Sequence, residues 1–192
     1  MNKAIFLDRD GVINYPVFNQ KINEYEAPHK PEDLKLYNDV IESLKSLKDL
    51  DYLLLVVSNQ PDYAKGKTSL ENLKIVHENL SSVLSQHNIK ITEYYYCFHH
   101  PQGIIPEYSI KCKCRKPGTW FLEDAKLKYE INMQCSWFIG DRDTDIFCGQ
   151  SMGTKTILIK TTQELSKVGK SNPDFKANTL KAILDIIKNN SK

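Results

Sequence analysis

Short apolar runs alternate with amphipathic stretches along this chain, and the alternation predicts its fold. Tyr52–Val57 is apolar without a break, as expected for a parallel strand buried on both faces. Asp39–Leu50 instead repeats its apolar residues at helical spacing. Strands that alternate with helices indicate an α/β fold with a doubly wound, mostly parallel sheet. The predicted strands are Lys3–Leu7, Tyr52–Val57, Glu93–Cys97, Ser136–Ile139 and Thr156–Ile159, and the predicted helices are Asp39–Leu50, one from Thr68 onward, Thr119–Tyr129, Asp145–Ser151 and Asn178–Asn189.

The ends of the helices and one long connection complete this pattern. Thr68 and Glu71 form a capping-box pattern at the start of the second helix, and Asn178 is the expected N-cap of the last helix. Tyr15–Glu32 is polar, interrupted by prolines and without a clear period, so we expect a loop beside the functional site. No stretch resembles a large cap domain. We therefore expect a single domain over residues 1–192.

Charge and composition exclude several classes of partner. The 26 basic and 24 acidic residues are dispersed and leave a net charge of +2, which predicts no nucleic-acid-binding surface. No run approaches the ~20 apolar residues of a membrane span, and the first apolar run is too short for a signal peptide. The three arginines, Arg9, Arg115 and Arg142, lie beside candidate site residues, so we interpret them as anion contacts. We expect the protein to be located in the cytoplasm and to be a monomer.

Polar residues follow the ends of several predicted strands. Asp8 and Asp10 follow the first strand, Ser58 and Asn59 the second, and Asp141 the fourth. Because the carboxyl ends of parallel strands share one edge of the sheet, we expect these side chains to converge. An ordinary Asp-rich turn is the alternative for the first two acids taken alone.

This set of side chains suits the transfer of a phosphoryl group. Mg²⁺ binds one or two carboxylates together with phosphate oxygens, and Asp8, Asp10 and Asp141 could supply the protein ligands. The segment Arg115-Lys116-Pro117 could reach the same edge. The metal ion and Lys116 would stabilise the charge that develops as the leaving oxygen departs.

A loop of about residues 97–117 contains a second candidate metal site. Cys97, His99, Cys112 and Cys114 form two short-spaced pairs, a set that suits a closed tetrahedral Zn²⁺. With five cysteines in the chain, metal ligation is favoured over disulfides. A site closed by four protein ligands has no position for water, so the zinc is expected to be structural. Buried cysteines beside a surface histidine are the alternative interpretation.

Four motifs resemble those of the haloacid dehalogenase-type phosphatases: DRDGVIN, VSNQ, RKP and GDRDTD, in this order and spacing. The resemblance implies that Asp8 is the nucleophile that forms an aspartyl-phosphate and that Asp10 is the general acid and base. The Ser58 hydroxyl would donate a hydrogen bond to the phosphoryl group. The positive charge of Lys116 would stabilise the negative charge of that group.

The same resemblance implies the ligands of Mg²⁺. These are Asp8, the main-chain carbonyl of Asp10, and Asp141. Asp145 would contact the ion through water or through another ligand.

The segments CFHHPQG and CKCRKP narrow the resemblance to the heptose-bisphosphate 7-phosphatases, with the histidinol-phosphate phosphatases as close relatives. The long metal loop favours the heptose group. The resemblance then implies removal of the 7-phosphate from D-glycero-D-manno-heptose 1,7-bisphosphate, a small phosphorylated sugar. Arg115 and Arg142 would recognise this substrate, and Asn59 and Gln60 are further candidate contacts.

Two departures from the family pattern concern the surroundings of the substrate. Pro61-Asp62 alters the second motif, and the segment Tyr15–Lys30 is unusually long. Histidinol phosphate or another small phosphomonoester therefore stays open as the substrate. A catalytically inactive, zinc-stabilised binding module is a further alternative, against which the paired acids Asp8 and Asp10 argue.

Overall fold

The computed structural model describes residues 1–160 and 168–190, and a six-stranded parallel sheet forms its centre. The strands are β1 (Lys3–Leu7), β2 (Val17–Asn19), β3 (Glu24–Glu26), β4 (Tyr52–Asn59), β5 (Glu93–Cys97), β6 (Trp137–Gly140), β7 (Lys155–Ile159) and β8 (Phe175–Ala177). The central sheet has the order β5–β4–β1–β6–β7–β8, and all its neighbours pair in parallel. In the antiparallel pair β2–β3, Val17 lies opposite Glu26.

Helices cover both faces of the sheet. They are α1 (Val40–Lys48), α2 (Leu70–Gln86), α3 (Trp120–Lys128), α4 (Asp143–Ser151) and α5 (Leu180–Asn190). Helices α1, α2 and α5 contribute buried residues to one apolar cluster, and α3 and α4 contribute to the other. The predicted doubly wound, mostly parallel sheet is confirmed.

Strand β1 shows why the sequence folds in this way. Ile5 and Leu7 belong to the cluster on one face, and Ala4 and Phe6 belong to the cluster on the opposite face. All four are fully buried, so each successive side chain of the strand finds an apolar partner. A continuous apolar run is the sequence pattern that such a central strand requires.

Two elements were missing from the sequence-based interpretation. The Tyr15–Glu32 segment contains the hairpin β2–β3, in which the rings of Phe18 and Tyr25 lie 5.0 Å apart. Strand β8 adds to the edge of the sheet, where only Ala177 of its three residues is buried. Both escape a periodicity argument because three-residue strands are too short to show alternation.

The predicted helix caps were wrong by one residue. Ser69 rather than Thr68 caps α2, since its hydroxyl accepts a hydrogen bond from the backbone N–H of Asn72 at 3.1 Å. Thr179 rather than Asn178 plays this role before α5, where its hydroxyl accepts from a backbone N–H at 3.1 Å. In each case two polar residues stand side by side, and their types alone do not say which one caps. Helix α4 also begins earlier than predicted, at Asp143.

Insertions beside the sheet remain small. Within residues 1–160 and 168–190, neither the β2–β3 hairpin nor the loop after β5 amounts to a second domain. In the same ranges, no helix is both long and apolar enough to cross a bilayer.

Candidate active site

The carboxyl ends of β1, β4 and β6 bring the predicted catalytic residues together at one edge of the sheet. Asp8 follows β1 directly, Ser58 is the penultimate residue of β4, and Asp141 follows β6. The backbone N–H of Asp8 donates to the carbonyl of Ile139 on β6 at 3.0 Å. This bond fixes Asp8 beside the end of β6, which Asp141 follows. The predicted convergence at this edge is therefore what the structure shows.

Asp8 is a buried carboxylate surrounded by donors. The Nζ atom of Lys116 lies 3.0 Å from its Oδ1 atom, and the backbone N–H of Arg9 donates to the same oxygen at 2.7 Å. Burial alone would raise the pKa of Asp8, but Lys116 and the hydroxyl of Ser58 outweigh it and hold this pKa below its usual value. Asp8 is therefore ionised near neutral pH, which is the state a nucleophile needs.

Lys116 lies at the centre of this charge arrangement. Besides Asp8, its Nζ atom contacts Asp145 Oδ1 at 2.7 Å and donates to the carbonyl of Val57 at 2.6 Å. Burial would lower the pKa of Lys116, but the two carboxylates more than compensate and raise it. The lysine thus carries a positive charge beside Asp8.

A cluster of three acids has the composition of a divalent-cation site. Asp8, Asp141 and Asp145 each offer a carboxylate oxygen, and these oxygens lie within 4.8 Å of one another. Burial raises the pKa of Asp141 well above its usual range; Arg142 opposes this shift, and the negative charges of Asp8 and Asp145 add to it. Asp141 Oδ1 is buried and has no hydrogen-bond partner among the described residues. A cation would satisfy this oxygen, so the donor set fits Mg²⁺.

The acids of this region have different partners in the structure. The Asp10 carboxylate is not part of the three-acid cluster and is held by Arg9, Asn14 and Gln60. The metal contact predicted for Asp10 was its main-chain carbonyl, and that contact stays a prediction. Asp145, expected farther from the ion, contributes an oxygen to the cluster and also pairs with Lys116.

Gly11 leaves the space that the acid cluster needs. Its φ angle is +90°, and a Cβ atom at this position would lie 2.3 Å from Asp141 Oδ2. Both the backbone conformation and the close approach require glycine.

The four predicted zinc ligands also come together. The sulfur atoms of Cys97, Cys112 and Cys114 lie 3.3–3.5 Å apart, and His99 Nδ1 lies 3.5 Å from Cys114 Sγ. Zn–S bonds of about 2.3 Å at tetrahedral angles separate sulfur atoms by about 3.8 Å, so only a small expansion would admit the ion. All five cysteines of the chain are free thiols. The donor types and spacing fit zinc.

This Cys/His cluster is joined to the edge of the sheet that carries Asp8 and Ser58. The carbonyl of Cys97 accepts a hydrogen bond from the backbone of Gln60 at 2.7 Å. Arg115 directly follows the last cysteine, and its guanidinium donates to the carbonyl of His99 at 3.3 Å. The cluster residues His99 and Cys97 are therefore hydrogen-bonded to Arg115 and Gln60, respectively.

A cavity of about 580 Å³ shares wall residues with the smaller pocket that Asp8, Asp10 and Asp145 line. Both predicted substrate-reading arginines, Arg115 and Arg142, line it, together with Lys111. Thr144, which sequence reasoning missed, also lies in its wall because α4 begins before the predicted start.

Two further candidate substrate contacts are bonded to protein groups. Asn59 hydrogen-bonds the backbone of Lys116 through both ends of its amide. Gln60 is buried and bridges Arg9, Asp10 and Ser58. A positioning role fits both amides, and their contact with substrate stays a prediction.

Both departures from the family pattern meet in one place. His29, near the end of the long segment Tyr15–Lys30, donates from Nε2 to Asp62 Oδ2 at 2.9 Å. Lys67 pairs with Glu26 of β3 in the same region. The altered second motif and the long excursion are therefore two halves of one contact, which sequence reasoning treated separately.

Known proteins are similar to this chain in sequence and in fold. The family described as HAD-hydrolase-like matches residues 113–183. The D-glycero-alpha-D-manno-heptose-1,7-bisphosphate 7-phosphatase of Photorhabdus laumondii is 34% identical over 166 residues, which cover 86% of each chain. The D-glycero-beta-D-manno-heptose-1,7-bisphosphate 7-phosphatase of Salmonella typhi is 31% identical over 191 residues, which cover 98% of this chain and 97% of the relative.

A solved structure shares the fold over nearly the whole chain. The D,D-heptose 1,7-bisphosphate phosphatase from B. bronchiseptica, crystallised with magnesium and phosphate, superposes with a TM-score of 0.81 at 21% identity. The match covers 97% of this chain and 98% of the other. With the sequence relatives covered over most of their length, the family is established. The chain belongs to the haloacid dehalogenase-type phosphatases, in the family that contains the D-glycero-D-manno-heptose-1,7-bisphosphate 7-phosphatases.

Proposed function

We propose that this phosphatase removes the 7-phosphate of D-glycero-D-manno-heptose 1,7-bisphosphate, with Mg²⁺ and through an aspartyl-phosphate on Asp8. One observation carries the proposal: the arginine-lined cavity adjoins the nucleophile. The 580 Å³ cavity and the small pocket that holds Asp8 have four wall residues in common, Asn59, Lys116, Arg142 and Thr144. A substrate in the cavity can thus extend one phosphate to Asp8.

The residues at the edge of the sheet divide the chemistry between them. A carboxylate oxygen of Asp8 bonds to phosphorus while the bond from phosphorus to the sugar oxygen breaks, and Asp10 gives a proton to that oxygen. Asp10 then takes a proton from water, whose oxygen bonds to phosphorus and releases phosphate from Asp8. Lys116 faces the phosphoryl oxygens throughout and offsets their charge.

Asp8 and Asp141, with the Asp10 main-chain carbonyl, are the proposed protein ligands of Mg²⁺. When bound, the ion supplies charge neutralisation at the phosphoryl oxygens. Asp145 keeps Lys116 and the start of α4 in place, because it pairs with Lys116 and accepts from the backbone N–H of Arg142 at 3.0 Å.

The second phosphate of the substrate explains the arginines. Arg115 and Arg142 both line the cavity, and the guanidinium fork matches the geometry of phosphate oxygens. Relatives at 34% and 31% identity are named for a heptose 1,7-bisphosphate, which has a phosphate at each end.

Zinc in the Cys/His cluster is proposed to be structural. Four protein ligands close the site, and a binding energy on the order of 10 kcal/mol at neutral pH is enough to order a loop with little apolar packing. Location in the cytoplasm and a monomeric state belong to the same proposal and rest on the sequence.

The test is phosphate release with Mg²⁺ from three substrates: the α and β anomers of heptose 1,7-bisphosphate, and histidinol phosphate. We expect preference for a bisphosphate, with one phosphate lost per molecule and the loss located at C7 by ³¹P NMR. Preference for histidinol phosphate would reject the substrate and keep the chemistry. No release from any of them would favour the inactive binding module.

A variant separates substrate reading from chemistry. Arg115→Gln is expected to raise the KM for the bisphosphate about tenfold or more, since one charge-assisted contact is worth about 1.5–3 kcal/mol. Hydrolysis of 4-nitrophenyl phosphate, which lacks a second phosphate, is expected to change little. Lys126→Gln removes an exposed positive charge of α3 and serves as the matched control.

A further inference from the structure

Arg9 is a buried arginine whose anion belongs to the protein itself. Its side chain is 1% exposed, and its guanidinium forks onto Asp10, with Nε 3.1 Å from Oδ1 and Nη2 3.0 Å from Oδ2. Arg9 lines neither the 580 Å³ cavity nor the pocket of Asp8. The anion contact expected for this arginine is therefore with Asp10 and not with a substrate.

Two side-chain amides also donate hydrogen bonds to the Asp10 carboxylate. Gln60 Nε2 donates to Oδ2 at 2.6 Å, and Asn14 Nδ2 donates to Oδ1 at 2.9 Å. Gln60 Oε1 accepts from Arg9 Nη2 at 2.9 Å, which fixes the orientation of the amide. Each oxygen of Asp10 thus receives one bond from Arg9 and one from a side-chain amide.

An aromatic ring also lies beside the guanidinium of Arg9. The guanidinium carbon lies 5.6 Å from the centre of the Tyr96 ring, and the Tyr96 hydroxyl lies 3.2 Å from His77 Nδ1. A buried cation is costly unless it is fully paired. The partner that offsets this cost for Arg9 is the carboxyl group of Asp10, to which the proton transfers are assigned.

We propose that Arg9 is a positioning residue that fixes the Asp10 carboxyl group for its proton transfers. The inference rests on the proposed role of Asp10. Two parallel bonds from one planar fork set the plane of the carboxyl group, so that the proton reaches the leaving oxygen along one direction. In the first step Asp10 carries a proton in place of one of the two amide hydrogen bonds, while both bonds from Arg9 remain. Asp8 forms its bond to phosphorus, the bond to the leaving oxygen breaks, and this proton moves from Asp10 to that oxygen. In the second step the same carboxylate takes a proton from water.

Leaving groups of different basicity test this role independently of the sugar. A phenolate needs protonation far more than a 4-nitrophenolate does, so a fault in Asp10 affects the two unequally. The measurement is the single-turnover rate, with Mg²⁺, of phenol release from phenyl phosphate and of 4-nitrophenol release from 4-nitrophenyl phosphate. Both rates are measured for wild type, Arg9→Met and Asp10→Asn. Arg9→Met is expected to slow phenyl phosphate about tenfold more than 4-nitrophenyl phosphate, within the ~10²–10⁴-fold that a general acid contributes.

The comparison variants give each result one meaning. Asp10→Asn should show the same selectivity, larger in size. Leu84→Ala weakens the core of α2, where Leu84 is fully buried, and should slow both substrates equally if it slows them at all. Equal slowing of both substrates by Arg9→Met would overturn the positioning role.

Arg9→Lys covers the case in which Arg9→Met does not fold. One ammonium group keeps the charge and cannot reproduce both parallel bonds, so a smaller selectivity of the same sign is expected. Equal rates for wild type and Arg9→Lys on both substrates would overturn the proposal. Wild-type inactivity on heptose 1,7-bisphosphate alone would reject the proposed substrate and leave the aryl phosphate test valid.

Discussion

Asn59 binds the backbone of Lys116 with both ends of its side-chain amide. Its Nδ2 atom donates to the Lys116 carbonyl at 3.1 Å, and its Oδ1 atom accepts from the Lys116 N–H at 3.0 Å. The lysine backbone is thereby fixed to the end of β4, from which its Nζ atom reaches Asp8. An amide predicted to contact substrate is thus placed to position Lys116, the lysine proposed to act in catalysis.

Asn59→Ala is expected to lower kcat about tenfold and the free energy of unfolding by about 1–3 kcal/mol, because two hydrogen bonds to the Lys116 backbone are lost. Steady-state kinetics and urea unfolding measure the two effects. Asn79→Ala, which removes a remote bond to the carbonyl of Pro31, should lower stability slightly and leave kcat unchanged. An unchanged kcat in Asn59→Ala would show that Lys116 needs no such support.

The sequence predicts the centre of this fold better than its edges. Strands such as β1 and β4 are buried on both faces, and such burial leaves a continuous apolar run in the sequence. Strand β8 and the β2–β3 hairpin bury few side chains, so they leave no periodic pattern. Their positions depend on pairing with neighbours far along the chain, which a local pattern does not encode.

The catalytic set was predictable for a similar reason. The carboxyl ends of parallel strands share one edge of the sheet, so the convergence of Asp8, Ser58 and Asp141 could be expected. The three residues meet because β4, β1 and β6 are neighbours in the sheet. The partners of individual side chains do not follow from topology. Asn59 bonded to Lys116, and Arg9 bonded to Asp10, are decided by distances of about 3 Å that no spacing rule predicts.

Asp8→Asn is expected to abolish turnover, by about 10³-fold or more, because an amide cannot form the acyl phosphate. The fold and the zinc content should stay intact, since Asp8 is not part of the Cys/His cluster. Phosphate release, circular dichroism and metal analysis check the three statements. An Asp8→Asn enzyme with substantial activity would contradict the aspartyl-phosphate mechanism.

Cys112→Ser is expected to lower the zinc content and to speed hydrogen exchange from Phe98 to Lys116, because one of four ligands to the ion is lost. Cys135→Ser changes an exposed thiol outside the cluster and provides the matched control. Metal analysis and exchange mass spectrometry give the readouts. Exchange that is equally slow in both variants would mean that packing, rather than metal, holds the loop.

Gly11→Ala is expected to weaken Mg²⁺ binding and activity, since the added Cβ atom would lie 2.3 Å from Asp141 Oδ2. Gly153→Ala is a matched control, because Gly153 also has a positive φ, +77°, and a Cβ atom there would meet nothing within 4 Å. Both should lose about 1–2 kcal/mol of stability from backbone strain. Only Gly11→Ala should raise the Mg²⁺ concentration needed for half-maximal activity. The same Mg²⁺ dependence in Gly11→Ala and Gly153→Ala would mean that Asp141 can shift away from the added Cβ atom without weakening Mg²⁺ binding.

The contact between His29 and Asp62 predicts a pH dependence of stability. Burial would raise the pKa of Asp62, but the hydrogen bond and charge of His29 outweigh it and lower this pKa below its usual value of 3.8. Because the folded pKa is the lower one, the contribution of Asp62 is fully present above pH 3.8 and is lost as the pH falls through the folded pKa. Asp62→Asn should therefore cost about 1–3 kcal/mol at pH 6, and the difference from wild type should shrink below about pH 4. Urea unfolding at several pH values measures this difference, with exposed Asp185→Asn as the control. If the difference in unfolding free energy between wild type and Asp62→Asn stays constant from pH 6 to about pH 3, the charge of Asp62 does not hold the segment Tyr15–Lys30 to the second motif.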